Sequence, residues 1–233
     1  MHRIDIPDWV RERVRLRRGK PYAFDSIDPR KAALVVVDLQ NGFMAPGQPC
    51  EVVHARDIVD NVNALAAAMR AAGGTVVWIK NTFDAETAIT WSVWRANFAT
   101  GDWGRRMQEA FTPGNFGHQL WPGLDVKPED LTVQKYRFSA LVQGSSNLDA
   151  ILRQRGIDSL VVVGTATNVC CESTVRDGMM MNYKCTMVSD ANATFTDEEH
   201  NATLAGVMTR FGDVRSTAEV IALLRQMPNA PAS

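Results

Sequence analysis

The sequence predicts an α/β fold, a Rossmann-like three-layer α/β/α sandwich built on a mainly parallel sheet. Three observations predict it. Short apolar runs rich in β-branched residues, such as Ala33-Leu34-Val35-Val36-Val37 and Leu160-Val161-Val162-Val163, show no polar alternation, the pattern of strands covered on both faces. Segments with apolar residues at helical spacing lie between these runs, and strands alternating with helices imply parallel pairing through right-handed crossovers. The chain has 233 residues, 45% hydrophobic and 22% charged, enough for one domain with a full-sized core, and no repeat, low-complexity stretch or linker divides it.

Residues 1–20 are basic through Arg3, Arg11, Arg13, Arg15, Arg17, Arg18 and Lys20, but they also carry Asp5, Asp8 and Glu12. Transit peptides are poor in acids, so the better reading is a surface arm whose Ile4, Ile6, Trp9, Val10, Val14 and Leu16 pack on the body or on another subunit. Residues 32–37 form the first buried strand and end at Asp38. Residues 55–72 read as a helix, with Ile58, Val62, Leu65 and Met69 on one stripe and Gly73-Gly74 as its stop. A second strand at 75–79 precedes an irregular, Trp-rich region over 81–130 that carries Trp91, Trp94, Trp103 and Trp121. A short strand at 131–133 ends at Gln134-Lys135, and a helix over 148–155 leads to a strand at 159–163. A helix over 168–181, a strand at 185–188, a helix over 197–210, a short strand at 212–214 and a closing helix over 216–224 complete the pattern. The expected division is an arm 1–30, one domain 31–228 and a tail 229–233.

The formal net charge of −1 gives no basis for a nucleic acid or an anionic membrane as partner, and no apolar run reaches membrane-spanning length. Residues 1–20 contain no signal-peptide core. Cys50, Cys170, Cys171 and Cys185 show neither metal-site nor secreted-framework spacing, so a reducing cytoplasm is the expected setting.

Ligand crevices of such sheets lie at the carboxyl ends of the strands, where Asp38, Lys135 and Cys170 all fall. Cys170 sits where Gly164-Thr165-Ala166-Thr167-Asn168 hands a strand over to a helix, a location expected to lower a thiol's pKa. Acyl transfer from an amide needs a nucleophile, a proton carrier and donors for an oxyanion. Cys170 can attack, Asp38 can carry the proton, Lys135 can hold the carboxylate's charge, and the Ala166 and Cys170 amides can face the oxyanion. Each residue has a plainer alternative: a buried apolar thiol, a turn cap, a solvated strand-end charge.

Val35-Val36-Val37-Asp38-Leu39-Gln40-Asn41-Gly42-Phe43 resembles the opening signature of the isochorismatase-like cysteine hydrolases. Gln134-Lys135-Tyr136-Arg137-Phe138-Ser139-Ala140 is similar to their lysine motif, and Gly164-Thr165-Ala166-Thr167-Asn168-Val169-Cys170 to their nucleophile motif. Val188-Ser189-Asp190-Ala191 with His200 resembles a fourth, mainly structural signature, and the likeness runs from about Ala32 to about Leu224. The resemblance implies an Asp38-Lys135-Cys170 triad, a covalent acyl- or carbamoyl-enzyme, and a non-proline cis peptide at Thr165–Ala166 that turns the Ala166 amide into the oxyanion hole. It also implies a homodimer or homotetramer.

Departures narrow the activity. Isochorismatases proper lack the nucleophilic cysteine. Nicotinamidases place an Asp and two His after the second strand, whereas Lys80-Asn81-Thr82-Phe83-Asp84-Ala85-Glu86 holds no histidine, so Asp84 and Glu86 read better as surface carboxylates and neither metal nor other cofactor is expected. That stretch and Lys135-x-Arg137-Phe138-Ser139 are closer to ureidoacrylate amidohydrolases and N-carbamoylsarcosine amidases. By that likeness Gln40, Asn81, Phe83 and Phe138 contact the substrate; Phe138 replaces a frequent Tyr. Arg137 reads either as a carboxylate clamp or as a surface ion pair. The tryptophans read as pocket walls or, better, as interface or core, and the insert with His118 stands at the pocket mouth. The expected function is a cysteine-dependent amidohydrolase acting on a small amide or ureido compound; the alternatives are a Cys170-Cys171 redox sensor and a catalytically silent ligand-binding relative.

Overall fold

A computed structural model of the chain describes residues 1–226. The expected tail 229–233 and the last two residues of the expected 31–228 domain lie outside the described residues. The elements are α1 (Asp8–Arg18), β1 (Ala32–Val37), α2 (Asn41–Met44), α3 (Val59–Ala71), β2 (Thr75–Asn81), α4 (Ala85–Thr90), α5 (Ser92–Asn97), α6 (Gly101–Ala110), β3 (Leu131–Lys135), α7 (Leu148–Gln154), β4 (Ser159–Thr165), α8 (Glu172–Met180), β5 (Lys184–Ala193), α9 (Asp197–Arg210), β6 (Asp213–Arg215) and α10 (Thr217–Gln226). The strands form one sheet in the order β3-β2-β1-β4-β5-β6, every neighbouring pair parallel. This order reverses direction between β1 and β4, which opens a crevice at their carboxyl ends.

Both sheet faces are dry, which explains the unalternated strand sequences. Ala33, Val35 and Val37 of β1 pack with Val10 and Val14 of α1, Leu148 and Leu152 of α7, Val175 of α8, and Leu204 and Val207 of α9. Leu34 and Val36 pack on the opposite face with Val62, Leu65 and Met69 of α3 and with Val220 and Leu224 of α10. Trp78 is fully buried on that second face, and its indole N–H is satisfied by Asp130, which also takes a two-pronged grip from Arg70. No helix among the described residues is long and apolar enough to cross a membrane.

The structure departs from sequence expectation in four places. The arm is largely a helix: Ile6, Val10 and Val14 are buried on the body, while Trp9 and Leu16 face outward. The Trp-rich region is not irregular, for it holds α4, α5 and α6; these helices are short, and tertiary packing rather than periodicity defines them. The helix expected from 168 begins instead as a single π-type turn, Thr167–Cys171, before α8. β5 runs to Ala193, well past the expected 188, because its pairing with β4 slips between Val162/Met187 and Gly164/Asn192 and then resumes. Asn192 closes the bulge by donating to Val162 O and Val188 O, and Asp190 inside it accepts from the Thr217 N–H and hydroxyl at the start of α10.

Gly164 pairs with Val37 across the β1–β4 seam at φ +119°. A Cβ there would stand 2.1 Å from Val37 O and 2.7 Å from Val37 N. Gly164→Ala is therefore expected to lower stability by about 3 kcal/mol or more. Gly19→Ala, also at positive φ but with nothing within 4 Å, should lose only about 1–2 kcal/mol. Urea midpoints of the two variants check this, and equal losses would contradict the seam argument.

Two histidines are buried as neutral rings. His118 Nε2 lies 2.9 Å from Thr82 Oγ1, and His200 bridges Thr167 Oγ1 and Ser189 O, each at 2.9 Å. Burial pushes both from 6.5 down to about 4, aided at His118 by the Lys80 charge. Between those values the unfolded chain binds protons that the folded chain refuses, so stability falls as pH drops from 6.5 towards 4. A urea series over this window should show that slope, and His118→Gln should make it shallower; a slope unchanged by the variant would contradict the assignment.

Candidate active site

Three strand ends meet at one buried point. Lys135, the last residue of β3, places Nζ 2.8 Å from Asp38 Oδ2 just beyond β1 and 3.5 Å from Cys170 Sγ beyond β4. Asp38 and Lys135 have no exposed side-chain surface and Cys170 is 4% exposed. The same ammonium donates to Asn81 Oδ1 at 3.2 Å and to Arg137 O at 3.1 Å, so its contacts come from β2 and from its own following loop as well.

Local backbone conformation puts each group in place. Asp38 is one of the few non-glycine residues in the left-handed region, φ +55°, which ends β1 in a turn closed by Gln40 N donating to Asp38 O at 2.8 Å. Aspartate tolerates this region better than most residues, and its conformation costs about 1–2 kcal/mol at most. On the Cys170 side the Thr165–Ala166 peptide is cis. The chain then makes the π-type turn, with Cys171 N donating to Ala166 O at 3.2 Å, and such turns recur at functional sites. Thr174 Oγ1 donates to Cys170 O at 2.8 Å and accepts from Ala140 N at 3.1 Å, tying α8 to the loop after Lys135.

The electrostatics correct one expectation. Burial pushes the Cys170 thiol up rather than down; the Asp38 charge adds to that rise, and the Lys135 ammonium only partly opposes it. Cys170 lies inside a dry turn rather than at free helix amides, so desolvation outweighs the helix dipole. Burial likewise raises Asp38 against the pull of Lys135. Burial works against the Lys135 charge, yet the Asp38 carboxylate and Cys170 sulfur hold its pKa above the ordinary lysine value. The resting arrangement is thus a neutral thiol beside an Asp38–Lys135 ion pair. Lys135 Nζ is the ion-pair partner of Asp38 Oδ2, and neither oxygen of the carboxylate meets a donor in full hydrogen-bond geometry among the described residues.

The expected substrate contacts are distributed differently. Gln40 is fully buried and fully engaged: its amide donates to Asn81 O and His118 O, and its Oε1 accepts from Asn81 N at 2.7 Å. It braces the ends of β1 and β2, with both side-chain polar atoms engaged within the protein. Asn81 serves Lys135 directly. Phe83 and Phe138 belong to an aromatic cluster: Phe83 stacks on Trp94 at 5.5 Å, and Phe138 meets Trp91 and Trp94 edge-on at 4.9 and 5.8 Å. Phe138 also packs against the core that contains Cys170. Arg137 donates to Tyr136 O and Thr90 O and lies 5.2 Å over Trp91, lining a groove of about 600 Å³ whose walls include none of the triad.

Asp84 caps α4 through Thr87 N and Oγ1, and Glu86 is exposed. Sequence reading did not single out Trp91 and Trp94 as one stacked pair, nor Cys50, which is pushed up to about 12 by burial and then by the Asp38 charge. No local pattern marks these residues, because loop and short-helix paths alone bring them to the site.

The chain matches the isochorismatase domain over residues 32–219. A cysteine hydrolase from Pseudomonas syringae pv. phaseolicola 1448A is similar in structure, with a TM-score of 0.76 and 29% identity over 89% of this chain and 98% of that one. An isochorismatase-like hydrolase from Alkaliphilus metalliredigens gives 0.69 and 26% over 82% and 98%. The N-carbamoylsarcosine amidase of Thermoplasma acidophilum shares the fold, with 0.63 and 24% over 80% and 96%. With its sheet order, its strand-end site and this match over most of its length, the chain belongs to the isochorismatase domain family of hydrolases.

Proposed function

We propose that this protein is a cysteine-dependent amidohydrolase that cleaves a C–N bond of a small amide or ureido (N-carbamoyl) compound through a covalent acyl- or carbamoyl-enzyme. The observation that carries the reading is the single ammonium of Lys135 shared between Asp38 Oδ2 and Cys170 Sγ in a dry site. A thiol kept neutral by burial needs a base at the moment of attack, and a carboxylate whose pKa burial has raised is a stronger base than a free one. Cys170 Sγ bonds to the carbonyl carbon as its proton passes to Asp38. The Ala166 and Cys170 amides are the donors we assign to the resulting oxyanion. Collapse breaks the C–N bond, and Asp38 returns the proton to the leaving nitrogen. Water then gives a proton to Asp38 while its oxygen bonds to the same carbon, the C–S bond breaks, and the thiol recovers its proton. Lys135 stays protonated throughout and keeps Asp38 ionised between turnovers.

Trp91, Trp94 and Phe138 are the walls we assign to the substrate. The carbamoyl compounds are the first to try, since an N-carbamoylsarcosine amidase shares the fold. The redox reading is weaker: Cys171 is fully buried, and burial pushes its thiol well above 9, which disfavours the thiolate that oxidation needs. We also propose a homodimer or homotetramer, supported by the outward apolar side chains of Trp9 and Leu16 on α1 and of Val93 on α5.

Ammonia release from a panel of small amides and N-carbamoyl acids tests the activity. Wild type should turn over at least one of them with or without a chelator, and Cys170→Ala should not. Asp38→Asn should lose roughly 10²–10⁴-fold in kcat. A near wild-type rate in Asp38→Asn or Lys135→Met would refute the triad. Sedimentation equilibrium tests the assembly, and a monomer mass at micromolar concentration would refute it.

A further inference from the structure

The residue that holds the nucleophile turn from behind comes from the far end of the chain. His2 is 6% exposed, and its ring is stacked on His200 at 4.4 Å with 17° between planes and tilted against His54 at 4.4 Å. Its Nδ1 lies 2.7 Å from Asp197 Oδ1, and its Nε2 is 3.0 Å from the Thr194 N–H. A backbone N–H can only donate, so Nε2 is the bare nitrogen and Nδ1 carries the proton.

Both of its neighbours reach the turn that carries Cys170. His200 Nε2 faces Ser189 O, which only accepts, so His200 carries its proton there and its bare Nδ1 accepts from Thr167 Oγ1 at 2.9 Å. Thr194, whose N–H is fixed by His2, donates through Oγ1 to Asn168 Oδ1 at 2.6 Å. Thr167 and Asn168 are the first two residues of the π-type turn, directly after the Thr165–Ala166 peptide. The two polar tethers on the leading edge of the turn therefore converge on one imidazole.

We infer that His2 is a positioning residue for the nucleophile: through His200 to Thr167, and through Thr194 to Asn168, it fixes the turn that aims Cys170 at Asp38. It touches neither Cys170 nor Asp38 and takes no part in proton transfer. The inference rests on the part of the proposed function that makes Cys170 the nucleophile, and not on the choice of amide.

The test compares wild type with His2→Ala, His2→Gln and His2→Asn, with and without millimolar imidazole. Ammonia release from the preferred amide is run beside hydrolysis of p-nitrophenyl acetate, in which Cys170 takes the acetyl group, p-nitrophenolate leaves and water releases acetate. Urea midpoints are recorded for each variant. His2→Ala should lower kcat on both substrates by about tenfold or more, with KM little changed. Imidazole, which fits the gap between His54 and His200, should restore part of the loss. His2→Gln, whose Oε1 can still accept from Thr194 N, should retain more activity than His2→Asn. Amide turnover absent but ester turnover sensitive to His2 would sink the amide reading and uphold this one. Unchanged kcat in folded His2→Ala, a loss that imidazole does not reverse and that follows only the urea midpoint, or a wild type inactive on both substrates would overturn it.

Discussion

The buried ion pair between Asp38 and Lys135 is the constraint around which this molecule is arranged. Two charges held away from water are costly unless they meet in good geometry and their remaining valences are filled. The pair joins strands β1 and β3, which are not neighbours; β2 lies between them and contributes Asn81, whose amide oxygen takes another of the lysine's protons. The β3-β2-β1 order is therefore what lets this pair exist at all. Gln40 ties the end of β1 to the end of β2 and to the His118 loop with all its side-chain polar atoms.

The same dryness that strains the ion pair defines the chemistry. Burial pushes the Cys170 thiol up, so the attack we propose starts from a protonated sulfur rather than a preformed thiolate. The base in that proposal is a carboxylate raised by the same burial, held beside the Lys135 ammonium. Asp38 and Cys170 are the proton-transfer pair we propose, and burial pushes the pKa of each upward.

Cys170, the nucleophile we propose, has neighbours of two different characters. Towards the crevice stand aromatic rings, Trp91, Trp94, Phe83 and Phe138, whose mutual stacking gives a firm apolar wall. Behind the turn stand polar ties through Thr167, Asn168, His200, Thr194 and His2, together with Thr174 reaching across to the Lys135 loop. Dispersion shapes the first side and directed hydrogen bonds the second.

The sequence by itself determined the layer architecture and singled out Asp38, Lys135 and Cys170 as the candidate site. Unalternated runs such as Val35-Val36-Val37 read as strands covered on both faces; Asp38 follows one directly and Cys170 follows another by a short turn, while Lys135 ends the alternating edge strand β3, so all three fall at one sheet edge. Gly164 was legible as part of a motif, but only the β1–β4 seam shows that a Cβ there would collide with Val37. The tertiary structure alone decided the ionisation of the thiol, because desolvation depends on what covers Cys170 rather than on its position beside a helix. It alone engaged Gln40 as a brace between β1 and β2, ordered 85–110 as helices, and brought His2 within reach of residues 190 and more positions away. Those outcomes depend on contacts between segments distant along the chain, and no periodicity or short motif encodes which distant side chain arrives.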